Sequence, residues 1–282
     1  MLAIILAVIT FVCWGSSDIF AAKLSRRSGA LTSSFLAYVF SLLPLLLIIP
    51  YGPGHLTPVS LVISVALGVL LAACWIGFNE AFRLGSPSIV VVITGAFVFL
   101  VVLFSVIFLK ESLNVWQMLF IAPIILGIIL TSLNINDIKA HGWKINRSIW
   151  LSLAVMIGWG VYYTFIKIPI QISDWYWPNL IVIGVGALIF LGMSLNNISA
   201  TLKKANLKLG FVVGITSIIG TIAFSLALQA GKSAVVAPIA GSYPILFVLL
   251  AGIVFKEKIN LSQKIGVVMT LAGIVGLAVV SG

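Results

Sequence analysis

Long apolar runs separated by short polar or basic gaps dominate this chain. From Ser28 to Asn79 there is no Asp, Glu, Lys or Arg. That length suffices for two membrane crossings, since a bilayer core about 30 Å thick takes about 20 helical residues. The cluster Pro50-Tyr51-Gly52-Pro53-Gly54-His55-Leu56-Thr57-Pro58 divides the run, as dense Pro and Gly should. Continuing along the chain predicts ten spans, at about 2–22, 31–50, 59–82, 88–109, 113–133, 148–168, 178–198, 209–230, 234–255 and 262–281. Runs such as Val90-Val91-Val92-Ile93 do not alternate apolar with polar, so barrel strands are excluded. Helices remain, because they satisfy their own backbone inside lipid. The first run has no basic n-region and no Ala-x-Ala-like cleavage site, so it is expected to stay as the first span.

Composition agrees with this class. The chain has 282 residues, of which 62% are hydrophobic and 8% charged, and its mean hydropathy is +1.27. A soluble domain carries about 25% charged residues. The net charge of +10 does not indicate nucleic acid, because the basic residues fall in the gaps between apolar runs and form no patch. Cys13 and Cys74 each lie inside an apolar run and read as small hydrophobes rather than a disulfide.

The chain repeats itself. Phe108-Leu109-Lys110-Glu111-Ser112-Leu113-Asn114 matches Val254-Phe255-Lys256-Glu257-Lys258-Ile259-Asn260 at a shift of 146 residues. The same shift pairs Gly85 with Gly231, Gly95 with Gly241, Gln117 with Gln263 and Gly127 with Gly273, and a shift of 145 pairs Trp14-Gly15 with Trp159-Gly160. Residues 1–135 and 148–282 are therefore two five-helix repeats joined by a basic linker, 136–147. Five is odd, so the second repeat enters the membrane from the opposite side. Inverted repeats of this kind are a transporter plan, with the substrate site near the midplane. The fold class expected is all-α, with ten transmembrane helices in two inverted repeats.

Calling the N-terminal side A and the other B, 13 of the 16 basic residues fall on side B, and only Lys110, Lys167 and Lys232 fall on side A. The positive-inside rule puts side B in the cytoplasm and both termini outside a cell membrane.

With these residues in view, the chain resembles the drug/metabolite transporter superfamily, in its ten-helix branch of two EamA-type repeats. The second half carries the resemblance best, in Ala227-Leu228-Gln229-Ala230-Gly231, Val236-Ala237-Pro238-Ile239, Tyr243-Pro244-Ile245 and Lys256-Glu257, with Lys167 eight residues beyond Trp159. The first half keeps Trp14-Gly15, Ala81, Thr94 and Lys110-Glu111, but has Val92 and Val98 where the second has Pro238 and Pro244. Lys23 falls one place late, and the second loop lacks the Lys and Arg that many such proteins carry. The resemblance implies export or exchange of a metabolite, with no prosthetic group and no ATP hydrolysis.

Candidate chemistry is sparse. No Gly-x-x-x-x-Gly-Lys-[Ser/Thr] motif occurs. The two histidines, His55 and His141, sit in predicted loops and give no basis for a metal site or an enzyme. Asp18 and Glu80 are the intramembrane acids, and such acids are functional candidates by default. The competing reading pairs Asp18 with Lys23 and Glu80 with Arg83. Trp75, Trp116, Trp143, Trp150, Trp175, Tyr176 and Trp177 read as interfacial anchors. Spans 1, 3, 4, 6, 8 and 9 are expected to line one cavity, with Trp14, Asp18, Asn79, Glu80, Thr94, Trp159, Tyr163 and Tyr243 binding the substrate. Pro238 and Pro244 should break the ninth span beside it. The partners expected are the bilayer and a small molecule, with an acid free either to pair with a cationic group or to exchange a proton.

Overall fold

The structure, a computed structural model, describes residues 1–132, 146–195, 206–254 and 260–281. Lys139, His141 and Lys144 of the linker lie outside the described residues, as do Lys203, Lys204, Lys256, Glu257 and Lys258. The helices in chain order are α1 (Leu2–Ser28), α2 (Ala30–Leu47), α3 (Pro58–Leu84), α4 (Pro87–Gly95 and Phe97–Ile107) and α5 (Val115–Ser132). The second half has α6 (Arg147–Phe165 and Lys167–Ser173), α7 (Tyr176–Leu195), α8 (Leu207–Ala230), α9 (Ser233–Ala240 and Tyr243–Val254) and α10 (Leu261–Ser281). Among the described residues nine helices are long and apolar enough to cross a membrane, and Val115–Thr131 is a shorter apolar one. The chain is an all-α, multi-span membrane protein of two inverted repeats.

Local sequence explains where the helices begin. Thr57 accepts from the Ser60 amide ahead of α3, Asn146 from Ile149 ahead of α6, and Asn206 from Leu209 ahead of α8. The paired glutamines have the same use in both repeats. Asn114 and Gln117 exchange backbone-to-side-chain bonds of 3.1 and 2.7 Å at the start of α5, and Asn260 and Gln263 exchange two of 2.9 Å at the start of α10. This is a reciprocal cap that satisfies two otherwise orphaned N–H groups. A single residue, Gly29, at φ 86°, turns α1 into α2, in a region only glycine enters freely. Leu47, Val62, Phe99, Leu188 and Val279 are exposed, as a lipid-facing surface requires.

The repeat symmetry can be read contact by contact. A Cβ on Gly95 would fall 2.4 Å from Pro244, and one on Gly241 would fall 2.2 Å from Val98. Those two contacts exchange under the 146-residue shift, so α4 and α9 cross where both helices are interrupted. The break therefore recurs in α4 without proline. The chain parts at Ala96 and at Gly241–Ser242, while Pro238 sits inside one α9 segment and Pro244 near the start of the other, where proline is tolerated. The Trp-Gly pairs follow the same rule. Gly15 lies under Leu246, and Gly160 under Leu100, each leaving no room for a Cβ. On the outer flank, α5 and α10 approach through Gly127, Gly266 and Gly273, close enough for the Thr270 hydroxyl to lie 3.4 Å from the Ile124 carbonyl.

Candidate functional site

A buried acid and a group of aromatic rings meet near the middle of the helices. Trp14, Ser17 and Asp18 of α1 face Tyr38 and Ser41 of α2, Trp75 of α3, Trp159, Tyr162 and Tyr163 of α6, Ile183 of α7, Ser217 and Thr221 of α8, and Tyr243 of α9 across a cavity of about 30 Å³. Ala37 and Leu71 complete its wall. The volume suits about two waters. A pocket that holds a whole small molecule is about tenfold larger. The structure is thus contracted around this site.

Spacing along α1 puts Trp14 and Asp18 on one face, four residues apart. The Trp14 ring lies 5.0 Å from Tyr163, 5.2 Å from Phe224 and 6.2 Å from Tyr243. Tyr163 in turn lies 6.2 Å from Trp159. Gly220 makes the seat of Trp14 possible, since a Cβ there would meet the indole at 2.6 Å. Asp18 is 5% exposed and makes no hydrogen bond or ion pair among the described residues. It is close enough to Tyr163 and Tyr243 to act on both hydroxyls electrostatically. Three more polar atoms of the lining are buried without a partner: the Tyr38 and Tyr243 hydroxyls and Trp159 Nε1. Native interiors rarely leave such groups unpaired. The Ser17 and Ser41 hydroxyls, by contrast, are occupied by the Val213 and Gly214 carbonyls, at 3.2 and 2.9 Å.

Five of the residues singled out by sequence, Trp14, Asp18, Trp159, Tyr163 and Tyr243, come together here. Asn79 and Glu80 do not, and Thr94 lies just outside the lining, beside the Tyr243 side chain. Asn79 Oδ1 accepts from Ser25 and from Ser33 (2.8 Å), and its Nδ2 donates to Ser34 (3.1 Å) and the Trp75 carbonyl (2.9 Å). Its capacity is spent holding α1, α2 and α3 together. Glu80 forms a two-pronged ion pair with Arg83, at 2.6 and 2.7 Å, toward side B. The Thr94 hydroxyl bonds back to the Val90 and Val91 carbonyls of its own helix. The lining therefore draws on α2 and α7 instead of α4. Trp75 is a lining residue rather than an interfacial anchor, and Tyr38 escaped sequence reasoning. Its signal was the stripe Ser34, Tyr38 and Ser41 along α2, at helical spacing in an otherwise apolar run.

On side A a different cluster ties the two repeats together. Glu111, in the turn after α4, accepts from Lys167 Nζ at 2.7 Å and from the Ser233 and Ala234 amides at 2.9 and 2.8 Å. Lys167 also donates to the Gly231 carbonyl at 2.8 Å, and Lys232 to the Ser112 carbonyl at 2.6 Å. One carboxylate of the first repeat thus caps the N-terminus of α9, where the helix dipole favours negative charge. It also neutralises a buried lysine of the second repeat. Burial pushes the Glu111 pKa up, but the Ala234 amide, Lys167 and the Ser233 amide outweigh it, and the net effect is a carboxyl below its ordinary value. On side B the corresponding carbonyl, Gly85, accepts from Arg26 at 2.9 Å.

The profile of the EamA-like transporter family matches residues 1–133 and 146–279. The chain belongs to this family. It is a membrane transporter of the drug/metabolite type. An uncharacterised protein of Methanocaldococcus jannaschii is 27% identical over 135 residues, spanning 48% of this chain and 98% of that protein. That relative has the length of a single repeat. A crystal structure of another protein superposes with a TM-score of 0.72, covering 99% of this chain and 96% of the other, at 13% identity, so it speaks for the fold alone.

Proposed function

We propose that this protein is a secondary transporter that moves a small polar or amphipathic metabolite across a cell membrane by alternating access, with the Asp18 cavity as its substrate site. The observation that carries the reading is the unpartnered Asp18 carboxylate among three further unpartnered polar atoms, midway between the repeats. A buried charge in a membrane protein is retained for a use, and those groups lack only a ligand or a proton. The cavity is too small for a metabolite as it stands, so loading requires one side to open. The Glu111–Lys167 cluster is the contact to be broken on side A, and rocking of one repeat against the other is the motion available. Asp18 either pairs with the substrate or carries a proton. Protonation would spare it the charge penalty in a closed state.

Reconstituted protein should take up at least one class of radiolabelled polar metabolite into liposomes, whereas empty liposomes take up none. Asp18→Asn, folded as the wild type is, should reduce that flux about 10- to 100-fold, the loss expected for one hydrogen bond or pairing to a charged group. Wild-type flux at every pH would make Asp18 structural. Flux above background for no class would remove the transporter mechanism.

The excess of basic residues on side B supports a cytoplasmic side B and external termini. With Cys13 and Cys74 replaced, a cysteine at exposed Tyr51 should react with an impermeant thiol reagent in intact cells. One at exposed Arg27 should react only after lysis. The reverse pattern inverts the topology.

A further inference from the structure

We infer that the Asp18 cavity selects an organic monocation that also carries a hydrogen-bond-accepting oxygen, an ammonium alcohol being the simplest case. The inference rests on the cavity being the ligand site of the proposed transporter, and it adds the chemistry of the ligand. Charge comes first. Asp18 is the one carboxyl among the lining residues, and no Lys, Arg or His joins it. An anion would enter a low-dielectric space beside an acid, with no cation to meet it. A zwitterion would place its carboxylate in the same small space as Asp18.

Ring faces come second. Trp14, Tyr163 and Tyr243 stand around the acid in one aromatic network, with Trp14 and Tyr163 at 5.0 Å and Trp14 and Tyr243 at 6.2 Å. Their faces attract an ammonium or its methyl groups, most strongly where water is excluded. A protonated amine and a quaternary ammonium share this attraction.

The third observation narrows the class. Trp159 is 3% exposed and its Nε1 has no acceptor. An indole N–H can only donate. A ligand that offers charge alone leaves this donor buried and unpaired, whereas a ligand oxygen satisfies it. The Ser17 and Ser41 hydroxyls do not take the role of that oxygen: each donates to a backbone carbonyl of α8, and neither accepts from Trp159. The Tyr38 and Tyr243 hydroxyls accept or donate as the ligand requires.

Tryptophan fluorescence of the purified full-length protein tests this with four compounds of similar shape. Choline supplies the cation and the oxygen, propyltrimethylammonium the cation alone, 3,3-dimethylbutan-1-ol the oxygen alone, and glycine betaine a zwitterion. Ethanolamine serves as the primary-amine counterpart of choline. Saturable quenching should be strongest with choline or ethanolamine, and choline should exceed propyltrimethylammonium by about two- to tenfold, the worth of one hydrogen bond. Asp18→Asn should weaken choline about 10- to 100-fold. Trp159→Phe should erase the advantage of choline over propyltrimethylammonium, read as the ratio of the two affinities within that variant, whatever it does to both. Equal or tighter binding of the neutral alcohol or of betaine overturns the inference, as does the absence of saturable quenching by both choline and ethanolamine. Flux into liposomes is read separately. Cation binding without flux keeps this cavity chemistry and removes the transport reading. Flux of anionic or neutral solutes without cation binding does the opposite.

Discussion

Replacing Glu111 with alanine is expected to lower the stability of the fold by about 3–5 kcal/mol, the penalty for stranding one partner of a buried ion pair. The side chains of Lys167 and Glu111 are only 9% and 8% exposed, so water cannot take over for either. The Ser233 and Ala234 amides would lose their acceptor in the same step. Lys167→Met alone should be damaging for the converse reason. The double variant should recover much of the loss, because it buries no unpaired charge, and a double-mutant cycle on thermal unfolding in detergent reads the coupling directly. Additive losses in the cycle would mean that the pair is not coupled. The pH dependence has a defined sign. Folding lowers the Glu111 pKa, so the unfolded chain holds the proton more tightly. The stabilisation is complete above the ordinary value of 4.5 and fades as the pH falls through the lower, folded value. Glu111→Gln should flatten that acid limb.

This cluster also marks where sequence reasoning stops. Lys110-Glu111 and Lys167 were visible as motif residues, yet their contact joins positions 56 apart across the two repeats. Only the packing of α4 against α6 and α9 brings them together. The helices themselves were legible, because lipid forces the backbone to bond internally and leaves the short polar, basic or Pro/Gly gaps as the places to turn. The recurrence of Gly95 with Gly241 and of Trp14-Gly15 with Trp159-Gly160 was legible too, but its cause was not. Those glycines recur because α4, α9 and the helices they cross approach too closely for a Cβ.

The site was legible where rarity and repetition coincided. Asp18 is an acid with no basic residue three or four positions away, and Trp14 and Trp159 are repeat mates. Asn79, Glu80 and Thr94 share the polarity of the site but use it otherwise: for joining helices, for a local ion pair and for a bond to the preceding turn. Sequence cannot separate a polar group that binds a ligand from one that binds its own protein. Trp75 shows the opposite failure. Aromatic residues near span ends are ordinarily anchors, and only the packing of α3 against α2, with the Trp75 ring 6.2 Å from Tyr38, brings it into the cavity wall.

Asn79→Ala should separate these two uses of polarity. The amide is fully buried and serves the Ser25, Ser33 and Ser34 hydroxyls together with the Trp75 carbonyl. Side-chain hydrogen bonds between membrane helices average about 0.6 kcal/mol each. Three such bonds and the one to Trp75 of its own helix, lost together with some packing, give an expected destabilisation of roughly 2–3 kcal/mol. The second repeat carries a mirror of this contact, in which Asn179 donates to Ser225 at 2.8 Å and to the Trp175 carbonyl at 2.7 Å. Asn79 and Ser225 are related by the 146-residue shift, and Ser34 and Asn179 by 145, so the amide and the hydroxyl have exchanged helices. A contact conserved in place while its residues trade sides is one that the fold requires and a ligand does not. Asn79→Ala should therefore unfold at lower temperature while the folded fraction binds as tightly as wild type. Asp18→Asn should do the reverse, keeping its thermal midpoint and losing affinity. Wild-type stability with lost binding in the Asn79 variant would return that residue to the substrate site.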